Sequence, residues 1–280
     1  MTLYALLIGL YSAIPAVKEA TAFRDFGDLP SSMHAAFTLF LGVLLVFRTN
    51  AAYARWWEAR TLWGALVNVS RNLAVKVNML IQVDSEELSS VRKMMLRFPR
   101  LLRDHLRRKS VEPDDEFLTP DVACLPHVPS ELVERMYQIF GRWKQSGKID
   151  GESLRLLDLE SRELLNICGG CERIRNTRIV RSYRIFARQC VLLYLLTFPW
   201  GIADDFNWWT IPMTTIIAYF MLGLETVAEH VEEPFGLDED DLDLDGLCNT
   251  ITASVSQIFE RREQLEQAAV DRSFAAPVHV

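Results

Sequence analysis

A chain of 280 residues is long enough for one large domain or two small ones. Half of its residues are apolar, and its mean hydropathy is +0.07, values that are ordinary for a soluble protein. Its formal net charge is −7. Five cysteines, an odd number, give no sign of a disulfide-stapled scaffold and indicate a reducing compartment.

Charge is strongly segregated along the chain. Residues 1–17, 31–47, 189–203 and 206–224 contain no Asp, Glu, Lys or Arg. A membrane-spanning helix needs about 20 mostly apolar residues, with a lower limit near 17. Lys18, Arg48 and Arg188 flank these short stretches and can extend them by snorkelling. We therefore predict four transmembrane helices; the alternative is a soluble protein with four buried core helices. The first stretch lacks the basic start of a signal peptide.

These stretches divide the chain into successive regions. The predicted regions are a first transmembrane hairpin (1–54), a cytosolic helical region (55–185), a second transmembrane hairpin (186–228) and an acidic strap with a C-terminal tail (229–280). Residues 48–188 hold 25 of the 30 Lys and Arg residues, so the positive-inside rule places that segment on the cytoplasmic or equivalent side. Four spans then place both termini on the same side.

The segment after the second stretch has the pattern of a long helix. Residues 31–82 contain no proline, and beyond Arg55 apolar or small residues recur every three or four positions. This stripe consists of Trp56, Ala59, Trp63, Leu66, Ser70, Leu73, Val77 and Leu80. Further helices are predicted from near Asp84, over 130–146 and over 152–177, and no strand pattern is present. The predicted fold is an all-α membrane protein with four transmembrane helices and a cytosolic helical bundle.

Motifs for enzyme chemistry are weak. Cys168 and Cys171 have the spacing of a redox site, but the βαβ context of such a site is absent, and small side chains on a packed helix explain the motif better. The segment "ETVAEHVEE" (225–233) carries carboxylates and a histidine, yet no second helix repeats the pattern that a two-metal enzyme uses. There is no P-loop, dinucleotide fingerprint or nucleophile motif, so we expect no enzyme activity.

Two distant motifs resemble the bestrophin family. The first is "VFRTNAAYARWWEARTLWG" (46–64), followed by "VNVSRNLA" (67–74). The second is "GLETVAEHVEEPFGLDEDDLDLDGLCNTI" (223–251), which is similar to the family's PFG turn and the acidic residues after it. Both occur in the family's order, and the resemblance covers roughly residues 1–260. The sequence of the first motif is more similar to that of bacterial and plastid members than to that of animal members.

The resemblance implies a pentameric ion channel with one pore on the five-fold axis, mostly for chloride and other small anions. It places the narrow pore neck at Leu39, Val43 and Phe47, and a second constriction, the aperture, at Ile179. Independently, the three neck residues are spaced i, i+4 and i+8, on one helix face, and apolar rings can gate a pore by dewetting. The alternative for the residues alone is a lipid-facing or packing stripe. The family often has proline after the aperture residue, where this chain has Val180.

Basic residues cluster around the expected aperture. Six arginines lie within sixteen residues: Arg173, Arg175, Arg178, Arg181, Arg184 and Arg188. Rings of arginine favour anions in a pore, so we expect anion selectivity, with Arg178 and Arg181 nearest the lumen. The competing interpretation is that these arginines lie at the membrane surface or pair with the acidic strap. Some bacterial relatives conduct cations, so a cation channel stays open.

The acidic run gives a candidate metal site. Ten acidic residues and no Lys or Arg lie between Glu225 and Asp245. Asp238 and Asp241 match the two carboxylates with which animal bestrophins bind calcium, and calcium takes oxygen ligands. His230 and Glu233 stand where those members have amides, and His is a poor calcium ligand. A solvated strap against a neighbouring subunit is the alternative.

The expected partners are four further copies of the chain in a homopentamer, membrane lipid, and chloride or other small anions, with no nucleic acid. The only cofactor expected is calcium, as a candidate modulator. We expect an integral protein of a bacterial inner membrane or of a plastid or thylakoid membrane. The remaining alternative is a membrane-anchored metal-binding or interaction protein without a conducting pore.

Overall fold

The computed structural model describes residues 1–21, 30–81, 83, 85–110 and 125–275, and every regular element within these ranges is a helix. This confirms the predicted all-α class. In chain order the elements are α1 (Thr2–Tyr11), α2 (Ala13–Glu19), α3 (Ser31–Leu80), α4 (Ser85–Leu106), α5 (Val128–Gln145), α6 (Gly151–Asn176), α7 (Arg181–Phe206), a 3-10 turn (Asn207–Trp209), α8 (Thr210–Val231) and α9 (Leu244–Ala275). The helices predicted over 130–146 and 152–177 correspond to α5 and α6, whereas Asp84 lies outside the described residues.

The chain forms two compact units. The first contains Met1–Trp57, Thr177–Pro234 and Asp238–Asp241. The second contains Glu58–Asn176, Phe235–Leu237 and the chain from Leu242 onward. Helix α3 contributes its N-terminal part to the first unit and its C-terminal part to the second.

The C-terminal part of α3 forms a buried seam in the second unit. Because the stripe after Arg55 recurs every three or four residues, its members project from one side of the helix. The seam residues that are fully or almost fully buried are Ala59, Trp63, Leu66, Ser70, Leu73 and Val77. The prediction that α3 continues into a helical bundle is confirmed.

Helices α4, α5, α6 and α9 complete the second unit. Helix α4 packs against the other three, and α5 packs against α6. The starts of α5 and α6 are capped by side chains: His127 Nδ1 accepts from the Ser130 amide at 3.2 Å, and Asp150 Oδ1 accepts from the Ser153 amide at 2.7 Å. Such caps satisfy amides that lack a partner within the helix, and they fix where α5 and α6 begin.

The Cys168–Cys171 motif lies inside this unit on α6. Both thiols are buried, and burial raises the pKa of Cys168 to about 12 and that of Cys171 further. A Cβ atom at Gly170 would lie 3.0 Å from Leu62 Cδ1, so the glycine lets α6 approach α3 closely. The motif therefore serves packing, as the sequence analysis favoured.

The first unit packs α1, α2, α7 and α8 around the N-terminal part of α3. Helix α1 lies on α8, and α2 lies on α7. A Cβ atom at Gly9 would lie 2.0 Å from Thr215 Oγ1, so α1 reaches α8 only because position 9 lacks a side chain. Between α7 and α8 the chain reverses at Asn207, whose φ of 46° and ψ of −120° give a positive-φ backbone that glycine adopts more readily than asparagine. The core of the unit consists of Ala5, Leu41, Leu45, Val191, Tyr194, Leu195, Phe198, Ile202 and Ala218.

Two helical segments of the described chain are long and apolar enough to span a membrane, namely Ser32–Leu80 and Arg181–Val231. Only 22% of the apolar window in each is buried, whereas a core helix of a soluble protein would be mostly buried. This rules against the alternative of four buried core helices. The second segment contains both α7 and α8, while α1 and α2 are 10 and 7 residues long. The number of four spans stays a prediction.

Candidate functional site

The N-terminal half of α3 exposes most of its apolar side chains, including Phe37, Phe40 and Val46. Leu39, Val43 and Phe47 are 72%, 48% and 65% exposed, although all three are apolar. Their spacing of four residues places them in one row along the helix. The three predicted neck residues therefore form a continuous apolar stripe that no other part of the described chain covers.

The opposite face of the same half is packed. Leu41 and Leu45 are 1% and 3% exposed and belong to the core shared with α7. Thr38 Oγ1 and the Tyr194 hydroxyl form a hydrogen bond of 2.8 Å between α3 and α7. These contacts fix the rotation of α3 about its axis, and so they determine that the neck stripe faces outward.

A buried ion-pair cluster follows the neck stripe. Arg48 is 1% exposed, and its Nε donates to Glu225 Oε2 on α8 at 2.6 Å. Arg188 Nε on α7 donates to Glu225 Oε1 at 3.1 Å, so two guanidinium groups hold one carboxylate. The sequence predicts that Arg48 lies at a membrane edge with its guanidinium directed outward. That interpretation is wrong, because its guanidinium lies inside the unit against Glu225.

Glu232 is the second buried carboxylate of this region. It is 1% exposed, and its Oε1 accepts a hydrogen bond from the Ile179 amide at 3.2 Å. The Arg184 guanidinium lies 3.8 Å from the same carboxylate, and Arg55 Nε donates to the Glu232 carbonyl at 3.2 Å. Ile179, the predicted aperture residue, is half-buried in the link between α6 and α7. Its backbone is therefore positioned by a buried carboxylate.

Most of the six clustered arginines are engaged in contacts. Arg178 pairs with Glu233 at 2.8 Å, and both side chains are half exposed. Arg188 and Arg184 contact the buried carboxylates described above. In the second unit, Arg173 pairs with Glu58, and Arg175 donates to the His105 carbonyl at 2.9 Å. Arg181 is exposed, and its side chain makes no ion pair or hydrogen bond within the described chain. Among the arginines that flank Ile179 most closely, Arg178 therefore has a carboxylate partner and Arg181 has none there.

The proposed calcium residues lie in a tight turn. Asp241 Oδ2 accepts from the Asp238 amide at 2.7 Å, and the Asp241 amide donates to the Asp238 carbonyl at 3.1 Å. Nearby, His230 Nδ1 lies 3.4 Å from Asp240 Oδ2, and Trp56 Nε1 donates to the Asp240 carbonyl at 3.1 Å. Where side chains are described, Asp238 and Asp241 belong to no group of three clustered His, Cys, Asp or Glu ligands. The calcium site stays a prediction.

Sequence reasoning missed the structural role of Arg48, Glu225 and Glu232. The available signal was their position, because ionisable residues within or beside an apolar span seldom face lipid and commonly pair inside the protein. From spacing alone, Glu225 is a candidate metal ligand and Arg48 a residue that flanks a membrane span. Which acidic residue pairs with Arg48 depends on how α8 packs against α3, and this packing is not encoded in local spacing.

Comparison with known proteins identifies the family. A family profile of bacterial and fungal bestrophin proteins matches residues 1–257. The chain belongs to the bestrophin family. This confirms the resemblance stated from the two motifs, and membership in this family agrees with the expectation that the chain is not an enzyme.

Among the curated relatives of this bestrophin chain is a voltage-dependent anion channel-forming protein of Mesorhizobium japonicum. It is 36% identical over 250 residues, which cover 88% of this chain and 81% of the relative. A protein of the same description from Nostoc sp. is 34% identical over 232 residues, which cover 79% and 75%. A crystal structure of a point variant of a bacterial bestrophin homologue from Klebsiella pneumoniae matches with a TM-score of 0.86 and 23% identity over 92% of this chain and 98% of the other. The chain therefore has the bestrophin fold and is an integral membrane protein.

Proposed function

We propose that this bestrophin chain is one subunit of a pentameric channel that passes chloride and other small monovalent anions across a membrane. The observation that carries the proposal is the exposed stripe of Leu39, Val43 and Phe47, on the side of the helix opposite the buried Leu41 and Leu45. If several copies direct this stripe toward one axis, they line a narrow apolar neck. Such a neck can gate ion flow by losing its water.

The curated relatives support the anion assignment. Proteins up to 36% identical to this chain are described as forming voltage-dependent anion channels. In the chain itself, Arg181 follows Ile179 by two residues and has no counter-ion within the described residues. Five copies of an uncompensated guanidinium near a constriction would raise the local concentration of anions.

A cation channel is the second candidate. The contacts of the arginines support it more strongly than the arginine-rich sequence alone does. Arg178, Arg184 and Arg188 each lie within 4.0 Å of a carboxylate, so these carboxylates offset much of the positive field of the cluster. Ion sign then depends mainly on Arg181.

Reconstitution with a reversal-potential measurement decides between the candidates. The full-length protein is placed in a planar bilayer with unequal KCl concentrations on the two sides. We expect a reversal potential near the chloride equilibrium value. A reversal potential at the potassium value would replace the anion proposal with the cation one, and a silent but correctly assembled oligomer would contradict both.

Two sets of variants then test whether the charge of Arg181 sets ion selectivity. One changes the net charge, and the other does not. Arg181→Gln removes a net positive charge, so we expect it to lower chloride selectivity over potassium. The double change Arg178→Gln with Glu233→Gln removes an ion pair without altering net charge, and it serves as the matched control that leaves the reversal potential unchanged. If the control shifts the potential as much as Arg181→Gln does, then net charge at Arg181 is not the determinant.

The stripe after Arg55 does not support the five-fold assembly. Trp63, Leu66 and Leu73 of that stripe are buried within their own chain, so they are not available to contact another subunit. The neck stripe and the other exposed apolar side chains of α3 now carry the argument. Native mass spectrometry in mild detergent should give a pentamer, and a monomer or dimer would contradict the proposal.

Calcium binding at Asp238 and Asp241 is a separate proposal. Two carboxylates fit the charge that calcium requires, but calcium takes six to eight oxygen ligands, so backbone carbonyls would have to supply most of the others. The hydrogen bonds of this turn hold it without an ion, which favours the strap interpretation. Currents are measured against free calcium in the wild type and in the Asp238→Ala, Asp241→Ala double variant. A calcium dependence that the double variant loses would support the site, and a wild type indifferent to calcium would exclude modulation there.

The sidedness of the chain is also proposed from sequence. The concentration of Lys and Arg in residues 48–188 places this segment and both termini on the cytoplasmic or equivalent side. Protease protection of sealed right-side-out vesicles tests this, since the central segment should then resist an externally added protease.

A further inference from the structure

Three side chains that can bind a transition metal converge in the second unit. His105 lies in the last turn of α4, His127 caps the start of α5, and Glu172 lies on α6. His105 Nε2 lies 2.6 Å and His127 Nε2 3.0 Å from the same oxygen, Oε1 of Glu172. In the part of the chain that the structure describes, only this group brings three His, Cys, Asp or Glu ligand atoms within 4.8 Å of one another.

The cluster is held in place by the surrounding helices. The Ser130 amide donates to His127 Nδ1 at 3.2 Å, and Arg175 Nη1 donates to the His105 carbonyl at 2.9 Å. Helices α4, α5 and α6 pack against one another in pairs. All three ligand side chains are partly buried. The arrangement is therefore preorganised by the fold and does not depend on mobile surface side chains.

Two imidazoles and one carboxylate select a particular class of ion. Nitrogen ligands suit Zn²⁺ and neighbouring transition metals, whereas calcium and magnesium prefer sites made wholly of oxygen. Zn²⁺ at about 2.0–2.2 Å from nitrogen and oxygen in tetrahedral geometry places its ligand atoms about 3.3 Å apart. The observed separations of 2.6 and 3.0 Å are slightly shorter, so a small outward movement of the side chains suffices.

We propose that His105, His127 and Glu172 bind Zn²⁺ or a chemically similar divalent transition metal ion. The fourth coordination position is taken by water. The Cys168 sulfur lies 3.9 Å from His127 Nε2, but it is not part of the group whose ligand atoms all lie within 4.8 Å, so the proposal omits it. His105 also lines a cavity of about 410 Å³, which gives the ion a route from solvent.

Metal binding changes the hydrogen bonds of His127. Because its Nδ1 accepts from the Ser130 amide, neutral His127 carries its proton on Nε2 and donates to Glu172. Coordination of a neutral imidazole through Nε2 requires that proton to move to Nδ1 by exchange with solvent. The capping bond from the Ser130 amide is then lost, and a metal–nitrogen bond forms. One capping bond is a small loss beside the free energy with which structural zinc is bound in proteins.

The test uses the full-length protein in detergent, with any affinity tag removed and metals stripped by a chelator. Zn²⁺ binding is measured by calorimetry, and Co²⁺ is used as a spectroscopic probe, because its visible absorption reports tetrahedral coordination. We expect one ion per chain. Each of His105→Gln, His127→Gln and Glu172→Gln should weaken binding by at least about tenfold and reduce the tetrahedral Co²⁺ absorption. Ca²⁺ and Mg²⁺ should not compete.

His230→Gln is the matched control, because His230 also contacts a carboxylate but belongs to no cluster of three ligands among the described residues. It should bind Zn²⁺ as the wild type does. Equal weakening in this control would show that the ion binds elsewhere and would overturn the proposal. Wild-type affinity weaker than about 10 μM would overturn it whether or not the variants fold. For variants that keep the oligomer's elution volume, Zn²⁺ should raise the Tm of the wild type and of His230→Gln but not of the three ligand variants. An equal rise in all of them would also contradict the proposal.

Discussion

The two halves of α3 follow opposite rules for placing apolar and charged residues. In the first unit, Leu39 and Phe47 are exposed while the nearby Arg48 is buried. In the second unit, Trp63 is buried while Arg60 and Arg71 are exposed. Both halves belong to one continuous helix of 50 residues.

This inversion shows that the two halves are matched to different surroundings. In water, an exposed apolar face is costly and a buried apolar face is stabilising, which describes the half that contains Trp63. Within a membrane, apolar side chains on the surface of a subunit can face lipid or line a narrow dewetted neck without this cost, and ionisable residues turn inward and pair. The half that contains Arg48 follows this second rule. The surroundings of each half can therefore be inferred from its burial pattern.

The largest effect is expected from truncating a side chain of the buried seam. Trp63→Ala should lower the free energy of unfolding by about 3–5 kcal/mol, because it leaves a large cavity in the second unit. Phe47→Ala removes a side chain of similar size that is 65% exposed, so it should cost less than about 1 kcal/mol. Denaturant titration of both variants in the same detergent, followed by helical circular dichroism, measures the difference. Equal losses would mean that the neck stripe is packed as tightly as the seam.

Removing the buried charge of Arg48 in the first half of α3 should give the next largest loss of stability. Arg48→Met leaves Glu225 buried with only Arg188 beside it, so we expect a loss of about 3 kcal/mol. Arg188 contacts the same carboxylate, but the Arg188 side chain is 46% exposed. Arg188→Met should therefore lower the free energy of unfolding by at most about 1 kcal/mol. The double change Arg48→Met with Glu225→Gln should recover part of the first loss. If both single variants lose equal stability, the distinction between buried and exposed partners does not hold.

The smallest effect on stability, but a functional one, is expected at the neck stripe. Phe47→Ala and Val43→Ala should raise single-channel conductance or open probability, because smaller side chains widen and hydrate an apolar neck. Phe220→Ala on α8 is the matched control, since Phe220 is 63% exposed and also apolar. We expect no change in conductance from the control. Unchanged behaviour in both neck variants would place the constriction elsewhere and leave the stripe as a lipid-facing surface.

Much of the fold could be predicted from the sequence. The alternation of uncharged stretches with charged segments indicated membrane helices, and the three- and four-residue spacing after Arg55 indicated a bundle helix. Two motifs in the correct order identified the family. These features are local or lie in short motifs, so they can be read without knowing which helices meet.

The rest depends on contacts between distant parts of the chain. The pairing of Arg48 with Glu225 spans 177 residues, and that of His105 with Glu172 spans 67. Local spacing gives no information about such pairs. The cysteines near Glu172 and the acidic run are recognisable motifs in the sequence, whereas His105 and His127 are not, because single histidines on separate helices form no pattern. Arg178 and Arg181 appeared equivalent in sequence, and only the position of Glu233 distinguishes them.

The buried cysteines of α6 give the second unit a chemical reporter of its own opening. At pH 8, a thiol with a pKa of about 12 is ionised in about one molecule in ten thousand, and burial also blocks the approach of an alkylating reagent. Alkylation of Cys168 or Cys171 therefore proceeds through states in which α6 has separated from its neighbours. The rate of thiol labelling measures how often this happens under native conditions. No probe has to be introduced into the chain for this measurement.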